Sequence, residues 1–108
     1  MNEIKLNKRK IIDVCLERFG YVDLIARGQS MYPTIKDGEH IRVLKCDDFI
    51  VGDIVAYWND NSEKIIVHKI VFMHNEKIFT KGDNNPEIDK VVKQTQILGK
   101  VNLMKKIQ

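Results

Sequence analysis

The spacing of apolar residues along this chain changes period once, near Gly20. Across residues 7–19, Ile11, Ile12, Cys15, Leu16 and Phe19 lie at offsets of 0, 1, 4, 5 and 8, which lines one face of an α-helix, and Gly20 follows as a stop. Beyond it the pattern is that of strands. Residues 21–26 are rich in β-formers, 39–44 alternate through Ile41 and Val43, and 53–58 follow a turn at Gly52. After a loop at Asp60-Asn61-Ser62, the run Ile65-Ile66-Val67-His68-Lys69-Ile70-Val71-Phe72 reads as a long central strand. His74-Asn75-Glu76 predicts a hairpin turn into 77–80, residues 82–89 form a polar loop holding Pro86, and 97–104 are the last strand.

Short strands separated by Gly, Asn and Asp behind one helix predict a mainly β domain, a small barrel-like or coiled antiparallel sheet. We expect one domain over residues 1–108, with 1–20 as the N-terminal helix and 21–108 as the β part. The helix is amphipathic, and its start carries Lys8, Arg9 and Lys10, the wrong sign for the helix dipole. Its apolar stripe is expected to cover one end of the sheet. The alternative is contact with an anionic membrane surface, a transporter or another partner.

Composition narrows the classes. A net charge of +3 with 31% charged residues is mildly basic, and apart from Lys5, Lys8, Arg9 and Lys10 the basic residues are scattered. Nucleic-acid binding requires a concentrated basic stripe with interleaved aromatics, so no nucleic-acid partner is expected. Cys15 and Cys46 lack metal-type spacing and read as free thiols of a reducing compartment, with a disulfide between them as the alternative. His40 and His74 read as surface residues, and neither a metal nor a cofactor is expected. No apolar run approaches the ~18 residues that span a bilayer. The expectation is a soluble, cytoplasmic protein, peripheral to a membrane if its helix docks there.

Chemistry concentrates in Gly28-Gln29-Ser30-Met31-Tyr32-Pro33-Thr34-Ile35-Lys36-Asp37-Gly38. Gly28 permits a tight bend, and Pro33 fixes its own φ while steering Tyr32 from the helical region, so Ser30 sits on a stiff, irregular segment. That is where a nucleophile is placed, although a serine in a plain surface loop has the same local pattern. A serine nucleophile needs a base, and His68, in the apolar strand, has the right ordinary pKa for that role. Neighbouring strand residues face opposite ways, so if His68 faces the site Lys69 does not. The acid that orients the histidine is Asp83 or Asp89, with Glu87 as a nearby substitute.

These blocks, Gly28-x-Ser30-Met31-x-Pro33-Thr34, Gly52-Asp53-Ile54-Val55, Val67-His68-Lys69-Ile70, Thr80-Lys81-Gly82-Asp83-Asn84-Asn85 with Asp89 beyond, and Leu98-Gly99-Lys100-Val101, occur in the order in which they occur in a known family. From about Gly28 to Val101 the chain resembles the signal peptidase family of serine endopeptidases, and the eukaryotic and archaeal branch in particular. The resemblance implies the coiled β fold shared with the self-cleaving repressor peptidases. It also implies catalytic roles for Ser30, His68, Asp89 and Asp83. His68 falls where that branch has its histidine and the bacterial branch its lysine, Asp89 matches the aspartate that orients the histidine, and Asp83 braces the loop.

The chain is expected to depart from the pattern in one respect, since no apolar run of membrane-spanning length stands among the residues before Ser30. It also has Gly28 where some bacterial members place a second hydroxyl donor for the oxyanion. The Ser30 amide is then the expected first donor. The implied activity is cleavage of a leader or signal segment from a peptide or protein precursor. The substrate would bind as an added strand, with small residues at the first and third positions before the cut and Gly28, Met31 and Tyr32 against it. Two other readings stand beside this one. The first is a non-catalytic peptide-binding or partner-docking module on the same fold. The second is a self-cleaving repressor-type peptidase, against which count the histidine in place of lysine and the absence of an Ala-Gly or Cys-Gly pair among the 29 residues before Ser30.

Overall fold

The computed structural model describes residues 8–59 and 64–103. Lys5, Asn7, Asp60-Asn61-Ser62 and Met104, which figure in the sequence reading, lie outside the described residues. The elements are α1 (Lys8–Phe19), β1 (Tyr21–Ile25), β2 (His40–Leu44), β3 (Ile54–Trp58), β4 (Ile65–His74), β5 (Lys77–Lys81), a 3₁₀ turn (Gln94–Gln96) and β6 (Ile97–Leu103). All strands join one sheet in the order β1-β2-β6-β3-β4-β5, and every pairing is antiparallel. The described residues are mainly β, with a single α-helix in front.

Two bulges bend the sheet, one between Ala56 and Tyr57 where β3 meets β6 and one between Ile70 and Phe72 where β4 meets β5. A bulge strengthens local twist and curls a sheet. The curl brings β1 and β4 round to face each other, so that Leu24 of β1 packs with Val67 of β4 and Met31, Ile35 and Ile41. The opposite face buries Val55, Tyr57, Ile70, Ile78 and Val92. The run at 65–72 is the longest strand and is flanked on both sides, but it lies next to the edge strand β5; the middle of the sheet is β6 and β3. It also runs two residues further than the pattern predicted. The turn is confined to Asn75 and Glu76, at φ 47° and 66°, a left-handed pair that suits the twist of a two-residue hairpin. His74 is therefore the last residue of the strand, exposed on the surface as His40 is.

Helix α1 covers the sheet with Ile12 and Leu16, which pack on Val43, Ala56 and Trp58. The predicted apolar face is wider than the contact. Ile11 and Phe19 are exposed at 43% and 64%, together with Val14, because the curled sheet offers the helix a narrow strip. Arg9 stacks its guanidinium on the Trp58 ring at 4.9 Å, and Lys45 reaches Glu17 at 3.0 Å, fastening the helix to the end of β2. Cys15 and Cys46 are free thiols. Among the described residues no helix is long and apolar enough to cross a membrane.

Candidate active site

Ser30 lies in the connection between β1 and β2, which is closed at its base like a loop on a stem. Ala26 N–H donates to Glu39 O at 2.9 Å and Gly38 N–H to Ala26 O at 2.8 Å. Within the loop, Gly28 adopts φ 91°, a conformation in which an L side chain is strained, and its N–H donates to the Asp37 carboxylate at 2.8 Å. A turn from Gln29 to Tyr32 then presents Ser30, half-buried, above the sheet. Met31 and Ile35 anchor the loop from below, buried against Ile41.

His68 faces this loop from β4. The residue is 7% exposed, with Nε2 3.1 Å from Ser30 Oγ and Nδ1 2.5 Å from Asp89 Oδ2. A carboxylate only accepts hydrogen bonds, so Nδ1 carries the proton and Nε2 offers its lone pair to the Ser30 hydroxyl. This is the tautomer that lets the imidazole take a proton from serine. Asp89 is itself held twice by Thr80, whose carbonyl accepts the Asp89 N–H at 2.8 Å and whose hydroxyl donates to Asp89 Oδ2 at 2.8 Å.

The segment Lys81-Gly82-Asp83-Asn84-Asn85 ties the two halves together. Asn84 donates its N–H to Ser30 O at 2.8 Å and its side chain to Gln29 O at 3.0 Å. Asp83 accepts hydrogen bonds from the Thr34 hydroxyl and from Lys69 Nζ, the latter at 3.2 Å, and its N–H points at Met31 Sδ at 3.3 Å. Burial alone would raise the Asp83 pKa, but the Thr34 hydroxyl and the Lys69 ammonium, helped by Lys81, outweigh it and hold the carboxyl below its ordinary value. Gly82 fits with nothing to spare. A Cβ there would sit 2.6 Å from Ser30 O, 2.8 Å from Asn85 Nδ2 and 3.0 Å from His68 Nε2.

A cleft of about 1010 Å³ opens beside Ser30 and His68, walled by β1 on one side and Ile65–His68 of β4 on the other. Gly28 and Met31 line it, although Met31 is also core, whereas Tyr32 is 47% exposed and stands outside the lining. Of the residues singled out in the sequence, Ser30, His68 and Asp89 meet directly. Asp83 lies one contact away and touches neither His68 nor the Ser30 hydroxyl, while Glu87 is exposed. Lys69, the strand neighbour of His68, is engaged in an ion pair with Asp83 at 3.1 Å. Thr80, Tyr57 and Gly82 were not singled out as site residues. The signal for Thr80 was present in its place two residues from Ile78 on the same face of β5, where a polar group in a buried row needs a partner. Among the described residues no group of three or more His, Cys, Asp or Glu is placed to hold a metal ion.

Comparison with known proteins agrees with this architecture. No match is found among curated proteins. The family model described as Peptidase S24-like matches residues 8–102, a span that runs from the helix through the serine loop, the histidine strand and the acidic loop to the last strand. On that match, the chain belongs to the Peptidase S24-like family.

Proposed function

We propose that the chain is a serine endopeptidase that cuts leader or signal segments from a peptide or protein precursor, with Ser30 as nucleophile, His68 as general base and Asp89 as the group that orients the base. The observation that carries this reading is the unbroken connection from Ser30 Oγ through His68 Nε2 and Nδ1 to Asp89 Oδ2, at 3.1 and 2.5 Å. In the proposed reaction Ser30 Oγ attacks the scissile carbonyl while its proton passes to His68 Nε2. Asp89 stabilises the resulting imidazolium, which then returns the proton to the leaving amine, and a water deprotonated by His68 hydrolyses the acyl-enzyme. Charge on the carbonyl oxygen falls to the Ser30 N–H, since the Gly28 N–H is already committed to Asp37. Such donors are worth roughly 3 kcal/mol each.

The substrate enters as an extended strand in the cleft, along the free edge of β1, with small side chains against the apolar wall. Family membership also supports a second reading, intramolecular cleavage of the self-cleaving repressor type. The experiment is mass spectrometry of a peptide library rich in small residues, incubated with the wild-type protein and with Ser30→Ala. Cuts in the library made only by the wild type support the endopeptidase. Loss of mass from the protein itself, at a rate independent of its concentration, supports self-cleavage, and neither event from folded protein rejects both.

The outer face of α1 supplies the accessory contact in this reading. Exposed Ile11, Val14 and Phe19 lie among Lys8, Lys10 and Arg18, a combination suited to an anionic lipid surface.

A further inference from the structure

Beneath Asp89 the hydrogen bonding continues into the core. Thr80 is fully buried and Tyr57 is 5% exposed, and their hydroxyl oxygens lie 3.2 Å apart. A threonine hydroxyl has one proton, and that proton is committed to Asp89 Oδ2 at 2.8 Å. Thr80 Oγ1 must therefore accept from Tyr57, and the order of donation is Tyr57 to Thr80 to Asp89. The same Asp89 oxygen receives the His68 Nδ1 proton.

We propose that Thr80 and Tyr57 are positioning residues that set the proton affinity of His68 by sharing the carboxylate oxygen on which the imidazole depends. The donors compete for one oxygen. Each donor to Asp89 Oδ2 withdraws charge from it, so the Thr80 hydroxyl moderates how strongly Asp89 stabilises the charged imidazolium, and Tyr57 polarises that hydroxyl further. Thr80 also holds the Asp89 backbone through its carbonyl, so the carboxylate cannot drift to a second geometry when the imidazole charges. Burial, with the Asp89 carboxylate adding to it, pushes the Tyr57 phenol up to about 12, so it stays a donor at neutral pH. Other charges near His68 are engaged separately. Asp83 is paired with Lys69, Lys81 donates to Gly82 O, and across the cleft Asp23 is paired with Arg42 while Lys8, Arg27 and Lys64 line the same space. None of these is altered by a change at Thr80 or Tyr57.

The catalytic consequence rests on the peptidase reading above, but the titration of His68 does not, so the two fail separately. The experiment is an NMR titration of the histidine ring protons in the substrate-free protein, with His68 assigned by its absence in His68→Gln. In Thr80→Val, which keeps the side-chain shape and deletes the hydroxyl, the His68 midpoint is expected to rise, because Asp89 then has one donor fewer and stabilises the imidazolium more strongly. Thr80→Ser is expected to restore it, and Tyr57→Phe to shift it in the same direction by less. His40 and His74 serve as internal controls that do not move. A His68 midpoint unchanged in a folded Thr80→Val protein overturns the proposal; should that variant not fold, an unchanged midpoint in Tyr57→Phe overturns it equally. Where cleavage is measurable, the acid limb of kcat/KM moves with the midpoint while KM does not, and Thr80→Ser recovers the wild-type profile.

Discussion

His68 Nε2 lies 3.1 Å from Ser30 Oγ although 38 positions separate the two residues in the chain. Neither element brings this about alone. Ser30 is carried by the connection leaving β1, at one end of the strand order, and His68 by β4, near the other, so the contact exists because the bulged sheet curls and the 82–89 loop bridges the gap. Residues of that loop that touch no substrate consequently govern the geometry of those that would.

Gly82 gives the sharpest case. In Gly82→Ala the new methyl must displace Ser30 O or His68 Nε2. We expect a stability loss of about 1–3 kcal/mol and a fall in cleavage rate of about 10²-fold, the scale of an ångström-size misplacement. Thermal unfolding and single-turnover cleavage measure the two effects, and unchanged kinetics would show that the loop does not set the Ser30 to His68 distance.

Asp83 fastens the serine loop through Thr34 and Lys69, and its pKa is depressed in the folded state. A depressed carboxyl stabilises the fold above its unfolded pKa of about 3.9, and that contribution is lost as pH falls through the lower folded value. Asp83→Asn is therefore expected to cost about 1–2 kcal/mol at neutral pH, and the difference from wild type to shrink as pH drops below about 4. Denaturant unfolding of both proteins across that range tests the sign.

Tyr57 titrates in the other direction. Its folded pKa is raised to about 12 by burial, against about 10 in the unfolded chain. Its contribution is complete below about pH 10 and lost as pH rises towards 12. Ultraviolet absorbance should show a late-ionising tyrosine that Tyr57→Phe removes; a wild-type titration curve with no late component would contradict the burial of this phenol.

The two faces of α1 should separate by mutation. Leu16→Ala removes a side chain packed on Val43 and Trp58 and is expected to cost about 2–5 kcal/mol. Ile11→Ser and Phe19→Ser alter exposed positions and should change stability by no more than about 0.5 kcal/mol. Co-sedimentation with anionic vesicles should weaken in the exposed pair and be unaffected by neutral vesicles; equal binding by all variants would remove the helix from any lipid contact.

Much of the fold was legible because period-two alternation and turn residues mark strands whichever sheet they join. Ile41 and Val43 announce β2, and Ile65 to Phe72 announce β4. Strand order was not legible, since pairing depends on curl and bulges, which is why β4 read as central. The hairpin at Asn75–Glu76 carries no glycine, and the sequence offered no sign that Glu76 would accept a left-handed backbone. Ser30, His68 and Asp89 stood out because a serine between Gly28 and Pro33, a histidine in an apolar strand and an acidic loop are each unusual locally. Thr80 did not, because threonine is ordinary in a strand and its hydroxyl acquires meaning only when Asp89 arrives from another segment. The apolar face of α1 was overread, since helical spacing reveals which residues share a side but not how much of that side the sheet will cover.

Whether Ser30 and His68 act together in peptide cleavage is measured by mass spectrometry of the small-residue peptide library, comparing the wild type with Ser30→Ala, His68→Ala and the double variant. The wild type is expected to cut, each single variant to be inactive, and the double variant to be no worse than either, because the two side chains act as a unit. Substantial cleavage by either single variant would contradict it.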